Sequence, residues 1–440
     1  MNKRRRNRKE IFEIIAVVFL LACGIFLGTE LFKEGKLDGG FHFLPFSGTK
    51  AEDPSQLKDP SRVEDPSGVG DPSPDTASQP PTVNITIAAV GDILIHNTLY
   101  FAAYEPDLGI YDFNSQFQYV KPYLENADIT IANLETTLAG PEAGYSGYPK
   151  FNTPDSIVDA LKNAGIDILT AANNHRMDQG IPGFYRTIRT VREKGLDIIG
   201  VKAEEPEKTY VIKDINGVKV AVLNFGYAFP LANGGLDING LFLPMNMTGL
   251  MDTFDPQNLE KSISTVAERV TDAREDGAEV IVACMHWGYE YHRTPNDFQQ
   301  QLAAEMVALG VDVIFGGHPH VLQPAVLLTD NEGNKVPVFY SLGNFISDQR
   351  KETVNDIYTE QGMIAKVTLA IQKGHKPVLL SAEAIPTWVN KKTIKGRYVY
   401  EVIPAEDALG SPNKFLLLNS SDLERIKFCR DSVGYLSADL

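Results

Sequence analysis

Apolar and polar positions change rhythm several times along the chain, and each change marks an element. Residues 83–90 (VNITIAAV) run almost wholly apolar and stop at Gly91-Asp92. Comparable runs at 127–132, 166–172, 197–201, 280–284 and 311–315 predict strands. Between them, apolar residues spaced three and four apart predict a helix ending near Leu124 and further helices over 153–163, 181–194, 258–275 and 295–309. Thr153 is the expected cap of the 153–163 helix, with Pro154 in its first turn. Asn216-Gly217, between β-like runs at 209–215 and 218–225, is a two-residue hairpin signal. Residues 325–328 and 336–341 predict a second hairpin, and 362–371 and 377–386 two more antiparallel strands. The tail is less patterned, with a short helix near 422–428. Strands alternating with helices give an α/β class. The hairpins make the sheet mixed, as one sheet or two packed sheets.

The first 82 residues follow another pattern. MNKRRRNRKE is strongly basic, and residues 11–32 are mostly apolar. A spanning helix needs ~20 such residues, and the basic end stays in the cytoplasm. The expectation is a cell-membrane anchor crossing once, its N-terminus cytoplasmic and the body extracellular. The alternatives are a lipoprotein acylated at Cys23 or a cleaved signal peptide. In residues 33–82 Asp-Pro-Ser recurs at Asp53, Asp59, Asp65 and Asp71, which predicts a disordered, extended stalk. The chain thus divides into 1–32 (basic tail and anchor), 33–82 (stalk), 83–390 (catalytic or binding body) and 391–440 (C-terminal extension packed on it). A formal net charge of −16 argues against a nucleic-acid partner. The three cysteines are too scattered for a disulfide framework or a thiolate zinc site, and Cys284 reads as core.

What changes the picture is where the ionisable residues fall. The 311–315 run ends in Gly316-Gly317-His318-Pro319-His320. Glycines allow a sharp turn and close approach, and Pro319 limits flexing between two imidazoles. Asp92, Glu135, Asn174, His175 and His286 also follow strand ends, where open α/β folds place their sites. Imidazole, carboxylate and amide oxygen together suit Mn, Fe or Zn. The set exceeds one tetrahedral site and suits two divalent ions ~3.5–4 Å apart sharing a carboxylate. Trp287, Tyr289, Tyr291 and His292 either line a substrate groove or pack beneath a loop. Arg176 either meets an anionic substrate or forms a surface salt bridge.

Gly91-Asp92, Asn133-Leu134-Glu135-Thr136, Asn173-Asn174-His175 with Asp178 and Gly180, His286-Trp287-Gly288, Gly317-His318-Pro319-His320 and Ser341-Leu342-Gly343-Asn344-Phe345 occur in this order. The set resembles the metallophosphoesterase (calcineurin-like) pattern and, more fully, the capsule-synthesis protein CapA family linked to bacterial poly-γ-glutamate. The resemblance implies a metallophosphatase-like fold of mixed β-sheets flanked by helices. It implies Asp92, His286, His318 and His320 as terminal metal ligands, Asn174 as an amide ligand, Glu135 as the shared carboxylate and His175 as an acid, with Asp178 orienting His175 or Arg176. Asn344 joins the substrate-contact candidates. The phosphoesterase pattern has a His two residues after the first Asp. Here Leu94 stands there, and His96 comes four residues on as an alternative ligand. Two function classes follow. One is a membrane-anchored, dimetal-dependent hydrolase acting on an anionic polymer such as poly-γ-glutamate or on a phosphoester. The other is a non-catalytic subunit working with membrane-embedded polymer synthesis or export subunits.

Overall fold

Two β-sheets pack face to face, and the reason is written in their strands. In Val83–Ile93, Ile85, Ile87 and Ala89 point into one apolar core while Ala88, Val90 and Ile93 point into another. Alternate residues of a strand face opposite ways, so an unbroken apolar run means that both faces are covered. The computed structural model describes residues 82–440. The expected spanning helix and Asp-Pro-Ser stalk lie outside the described residues. Among these, no helix is long and apolar enough to cross a membrane.

The first sheet has Val83–Ile93 near its centre. Ile129–Leu134, Ile168–Thr170 and Asp197–Ile199 follow on one side, all parallel. On the other side lie Gln361–Ile371, Val378–Ile394 and Arg397–Pro404, all antiparallel. In the second sheet Val218–Tyr227, Val280–His286, Val313–Gly317 and Lys335–Phe339 run parallel, with Ala325–Thr329 antiparallel at the edge. Ile87, Ala89, Ile129 and Ile131 of the first sheet meet Val220, Val282, Cys284 and Phe315 of the second in a shared core. Cys284 is indeed core, and burial pushes its thiol up to about 12. Helices Ser156–Asn163 and Gly180–Glu193 cover the first sheet's other face, and Leu259–Glu275 and Asp297–Ala308 cover the second's.

The expected hairpin at Asn216-Gly217 forms, with φ of 55° and 85°, the pair of positive values that a tight two-residue turn needs. Three expectations are corrected. Thr153 does not cap a helix: its hydroxyl lies 2.7 Å from that of Thr136, and the helix begins at Ser156. The short tail helix is the 17-residue Ser420–Leu436, capped by Asn419. Residues 391–440 are not an extension packed on a finished domain. Val378–Ile394 runs through the proposed boundary, and Arg397–Pro404 is an edge strand of the first sheet.

Candidate metal centre

The carboxyl ends of the parallel strands of both sheets converge, and two glycines permit it. A Cβ on Gly91 would lie 1.9 Å from the Gly343 carbonyl oxygen, and one on Gly317 would lie 2.6 Å from Asp92 Oδ1. Asp92 is thereby wedged between sheets, its amide donating to Gly343 O at 3.0 Å. The histidine turn closes over it with φ of 95° at His318 and 57° at His320. Positive φ at two non-glycine residues is strain of the kind held at functional sites. The His318 amide donates to Asp92 Oδ2 at 3.2 Å, and His320 Nδ1 lies 3.1 Å from the same oxygen.

Around Asp92 the predicted residues meet. Glu135 Oε1 lies 3.5 Å from His286 Nε2 and 3.8 Å from His320 Nε2. Asn174 Oδ1 is 2.7 Å from His286 Nε2. Ligand atoms of Asp92, Glu135 and His320 fall within 4.8 Å of one another, as do those of Glu135, His286 and His318. Both groups include Glu135, and every member is buried. Glu135 Oε1 and His318 Nδ1 are buried without a hydrogen-bond partner. A buried carboxylate oxygen and a buried imidazole nitrogen left bare are costly unless something fills the space between them. The donors, nitrogen and oxygen with no thiolate, fit a borderline or hard divalent ion.

Charge supports the same conclusion. Burial, the Asp92 charge and the Glu290 charge raise the Glu135 carboxyl well above its usual range. Burial also opposes ionisation of Asp92, but His320, Asn133 and the His318 amide outweigh it and its pKa is lowered. Burial and neighbouring imidazoles hold His286 well below its usual value and His318 down at about 3. The pocket thus keeps these two imidazoles neutral, with lone pairs available, and strains a carboxylate that a cation would relieve.

His175 stands beside the metal donors rather than among them. Its Nδ1 lies 2.8 Å from Asp178 Oδ2, which also accepts from the Phe151 amide at 2.7 Å. Phe151 packs edge-on against the imidazole at 4.7 Å. His175, Leu94, His96, His320, Glu290, Tyr291 and Asp348 help line a cleft of about 350 Å³. A second cleft, about 420 Å³, opens on the His318 side between Tyr227, Phe229, Phe254, Tyr289, Glu290 and Phe298. His96 belongs to no donor group: its Nδ1 sits 3.3 Å from both the Leu94 carbonyl and the Asp348 amide.

The expected substrate contacts divide. Tyr289 lines the aromatic cleft. Arg176 is fully buried, donating to Phe184 O and lying 5.4 Å from that ring, so it meets neither solvent nor either cleft. Trp287 is equally buried, its indole N–H donating to Tyr340 O. Asn344 is buried under the site, donating to His320 O, Gln349 Oε1 and Thr359 O. These three support the fold rather than touch substrate. His292 is exposed against Tyr289 and lines neither cleft.

Asn133 entered the sequence analysis only as part of a motif and was given no role. Its Oδ1 accepts from Thr170 and Asn173, which fixes its amide. Its Nδ2 is thereby aimed at Asp92 Oδ1 (2.7 Å), Glu135 Oε2 (3.2 Å) and His286 Nδ1 (3.3 Å). The signal was available: Asn133 and Glu135 are two apart, so an extended chain puts them on one face. Tyr227, whose ring is 4.9 Å from that of His318, was missed because its strand was ended two residues early.

A family profile described as "Bacterial capsule synthesis protein PGA_cap" matches residues 86–349, which carry every donor named above. The chain belongs to this family. It is 31% identical over 328 residues to the capsule biosynthesis protein CapA of Bacillus anthracis, covering 71% of this chain and 74% of that one. It is 32% identical over 243 residues to the PGA biosynthesis protein CapA of Bacillus subtilis (strain 168), covering 54% and 57%. Among solved structures, it is similar to the NAD nucleotidase NadN of Haemophilus influenzae, at a TM-score of 0.41 and 11% identity, covering 81% of this chain and 61% of that one.

Proposed function

We propose that this PGA_cap family member is a dimetal-dependent hydrolase of capsule polymer biosynthesis, acting on an anionic polymer such as poly-γ-glutamate or on a phosphoester. The observation that carries the reading is the pair of donor groups sharing Glu135, with its bare oxygen and the bare His318 nitrogen, beside a cleft that His175 enters. Asp92, Glu135 and His320 would hold one divalent ion, and Glu135, His286, His318 and Asn174 the other. When bound, such ions lower the pKa of water and stabilise negative charge developing on a substrate oxygen.

The chain's own residues do the rest. Asn133 holds Asp92 and Glu135 apart and oriented. Asp178 accepts the Nδ1 proton of His175 and fixes the ring, which leaves Nε2 to carry a proton to the leaving group. Neither cleft is lined by Lys or Arg, so bound ions would supply the cationic charge that draws an anion in. Leu94, standing two residues after Asp92 where the phosphoesterase pattern has a histidine, favours the second reading, a binding subunit of a synthesis or export complex.

The test is metal analysis of the full-length chain beside a hydrolysis screen of aryl phosphoesters and γ-glutamyl peptides. The expected outcome is up to two Mn, Fe or Zn ions per chain and turnover that a chelator abolishes. A protein that stays metal-free after incubation with each ion would refute the enzyme reading. We further propose that residues 11–32 anchor the chain, with the body outside the cell, on the strength of the basic stretch ahead of that apolar run. Protease added to intact protoplasts should then remove the body, and a fully protected body would overturn the topology.

A further inference from the structure

We infer that Glu290 is an additional ligand of the metal centre, supplied from its solvent side. The inference rests on the proposed metal site and concerns a residue outside the donor groups assigned above. Ligand atoms of Glu290, His318 and His320 lie within 4.8 Å of one another. The backbone around Glu290 is pinned to the histidine turn on both sides. The Trp287 amide donates to Gly317 O at 3.1 Å, and the Tyr291 amide donates to Pro319 O at 2.8 Å. Between those anchors the chain turns through positive φ at Gly288 (86°) and Tyr291 (66°). This presents Glu290 over the two imidazoles while leaving it exposed.

Two further observations bear on the site. His318 Nδ1 is buried and has no hydrogen-bond partner. Leu94 lines the same cleft as His320 and Glu290 and brings an aliphatic side chain, with no ligand atom, to that wall. A carboxylate from the opposite wall adds a hard oxygen of the kind Mn or Fe accepts. Glu290 also lines both clefts, so it stands where they meet. Glu290 is the exposed member of the set, the other candidate ligands being buried.

The experiment measures Mn²⁺ affinity of the full-length chain by the electron paramagnetic resonance signal of free Mn²⁺. Wild type, Glu290→Gln, Glu290→Asp and the exposed control Glu142→Gln are compared. Glu290→Gln is expected to bind about 10-fold or more weakly, the scale seen for losses around metal sites. Glu290→Asp should fall between, and Glu142→Gln should match wild type. The melting temperature in chelator should match wild type for Glu142→Gln and should be no lower than wild type for the Glu290 variants, since Glu290 is exposed and its charge acts against that of Glu135. If wild type binds Mn²⁺ and Glu290→Gln binds it equally well, this inference falls and the metal reading stands. If wild type binds neither Mn, Fe nor Zn, both fall.

Discussion

Replacing His175 with alanine is expected to cut turnover by roughly 10²–10⁴-fold while leaving the bound metal in place. The separation of effects follows from geometry. His175 is absent from the donor groups, and its Nδ1 is engaged by Asp178 at 2.8 Å. Removing it takes a proton donor from the cleft and no ligand from an ion. His318→Ala should lose both metal and turnover, because His318 sits in the group with Glu135 and His286. The loss in His175→Ala should shrink for substrates with acidic leaving groups, which depart without protonation. Equal losses across leaving groups of widely different pKa would count against the acid role. Asp178→Asn should follow His175→Ala in direction with a smaller loss, since it releases the ring without removing it.

Glu135→Gln is expected to raise the melting temperature of the chelator-treated protein at pH 7, on the order of a few degrees, while abolishing most of the rise that metal gives. A carboxyl whose folded pKa is raised contributes stability below its unfolded value near 4.5 and loses it as pH rises. At neutral pH, with no cation beside it, Glu135 therefore costs stability, and the amide removes that cost. The gap between variant and wild type should be wide at pH 7 and close as pH falls toward 4.5. The imidazoles act at the other end of the range. His96, down at about 4, His318, at about 3, and His286 all bind protons more readily when unfolded. The stability they carry is full above their unfolded value of 6.5 and is lost as pH falls through the folded values. Both proteins should thus soften on acidification below about pH 6.5. Scanning fluorimetry in chelator across this range decides it, and a gap that does not change with pH would remove Glu135 from the argument.

Much of the body could be read from the chain because both faces of its central strands are covered. Continuous apolar runs such as 83–90 and 280–284 end abruptly where the polar site begins, so strand ends and site residues announce each other. Asp92, Glu135, Asn174, His286, His318 and His320 were legible for that reason, and they do converge. Contacts that depend on a side chain's three-dimensional surroundings were not. Arg176 and Trp287 looked available because they flank site histidines, but both are buried, Arg176 against Phe184 of the following helix and Trp287 against the distant Tyr340. Glu290 drew no reading from the sequence, because the turn that carries it is pinned to Gly317 and Pro319 through backbone hydrogen bonds. Arg397–Pro404 was missed because Lys395 and Gly396 turn through φ of 50° and 79° without the asparagine or aspartate that usually marks such a turn.

The central strand of the first sheet has a consequence for how the protein must be made. Val83–Ile93 begins the described chain, yet its antiparallel partner is Gln361–Ile371, paired from Val83 with Ile371 to Val90 with Ile364. A growing chain therefore carries an apolar strand with one hydrogen-bonding edge bare until Gln361–Ile371 has been synthesised. Bare edges recruit strands from other molecules, and pairings this distant in sequence form slowly. A product ending before Gln361 should accordingly be an aggregation seed rather than a smaller working protein, however complete its histidine turn.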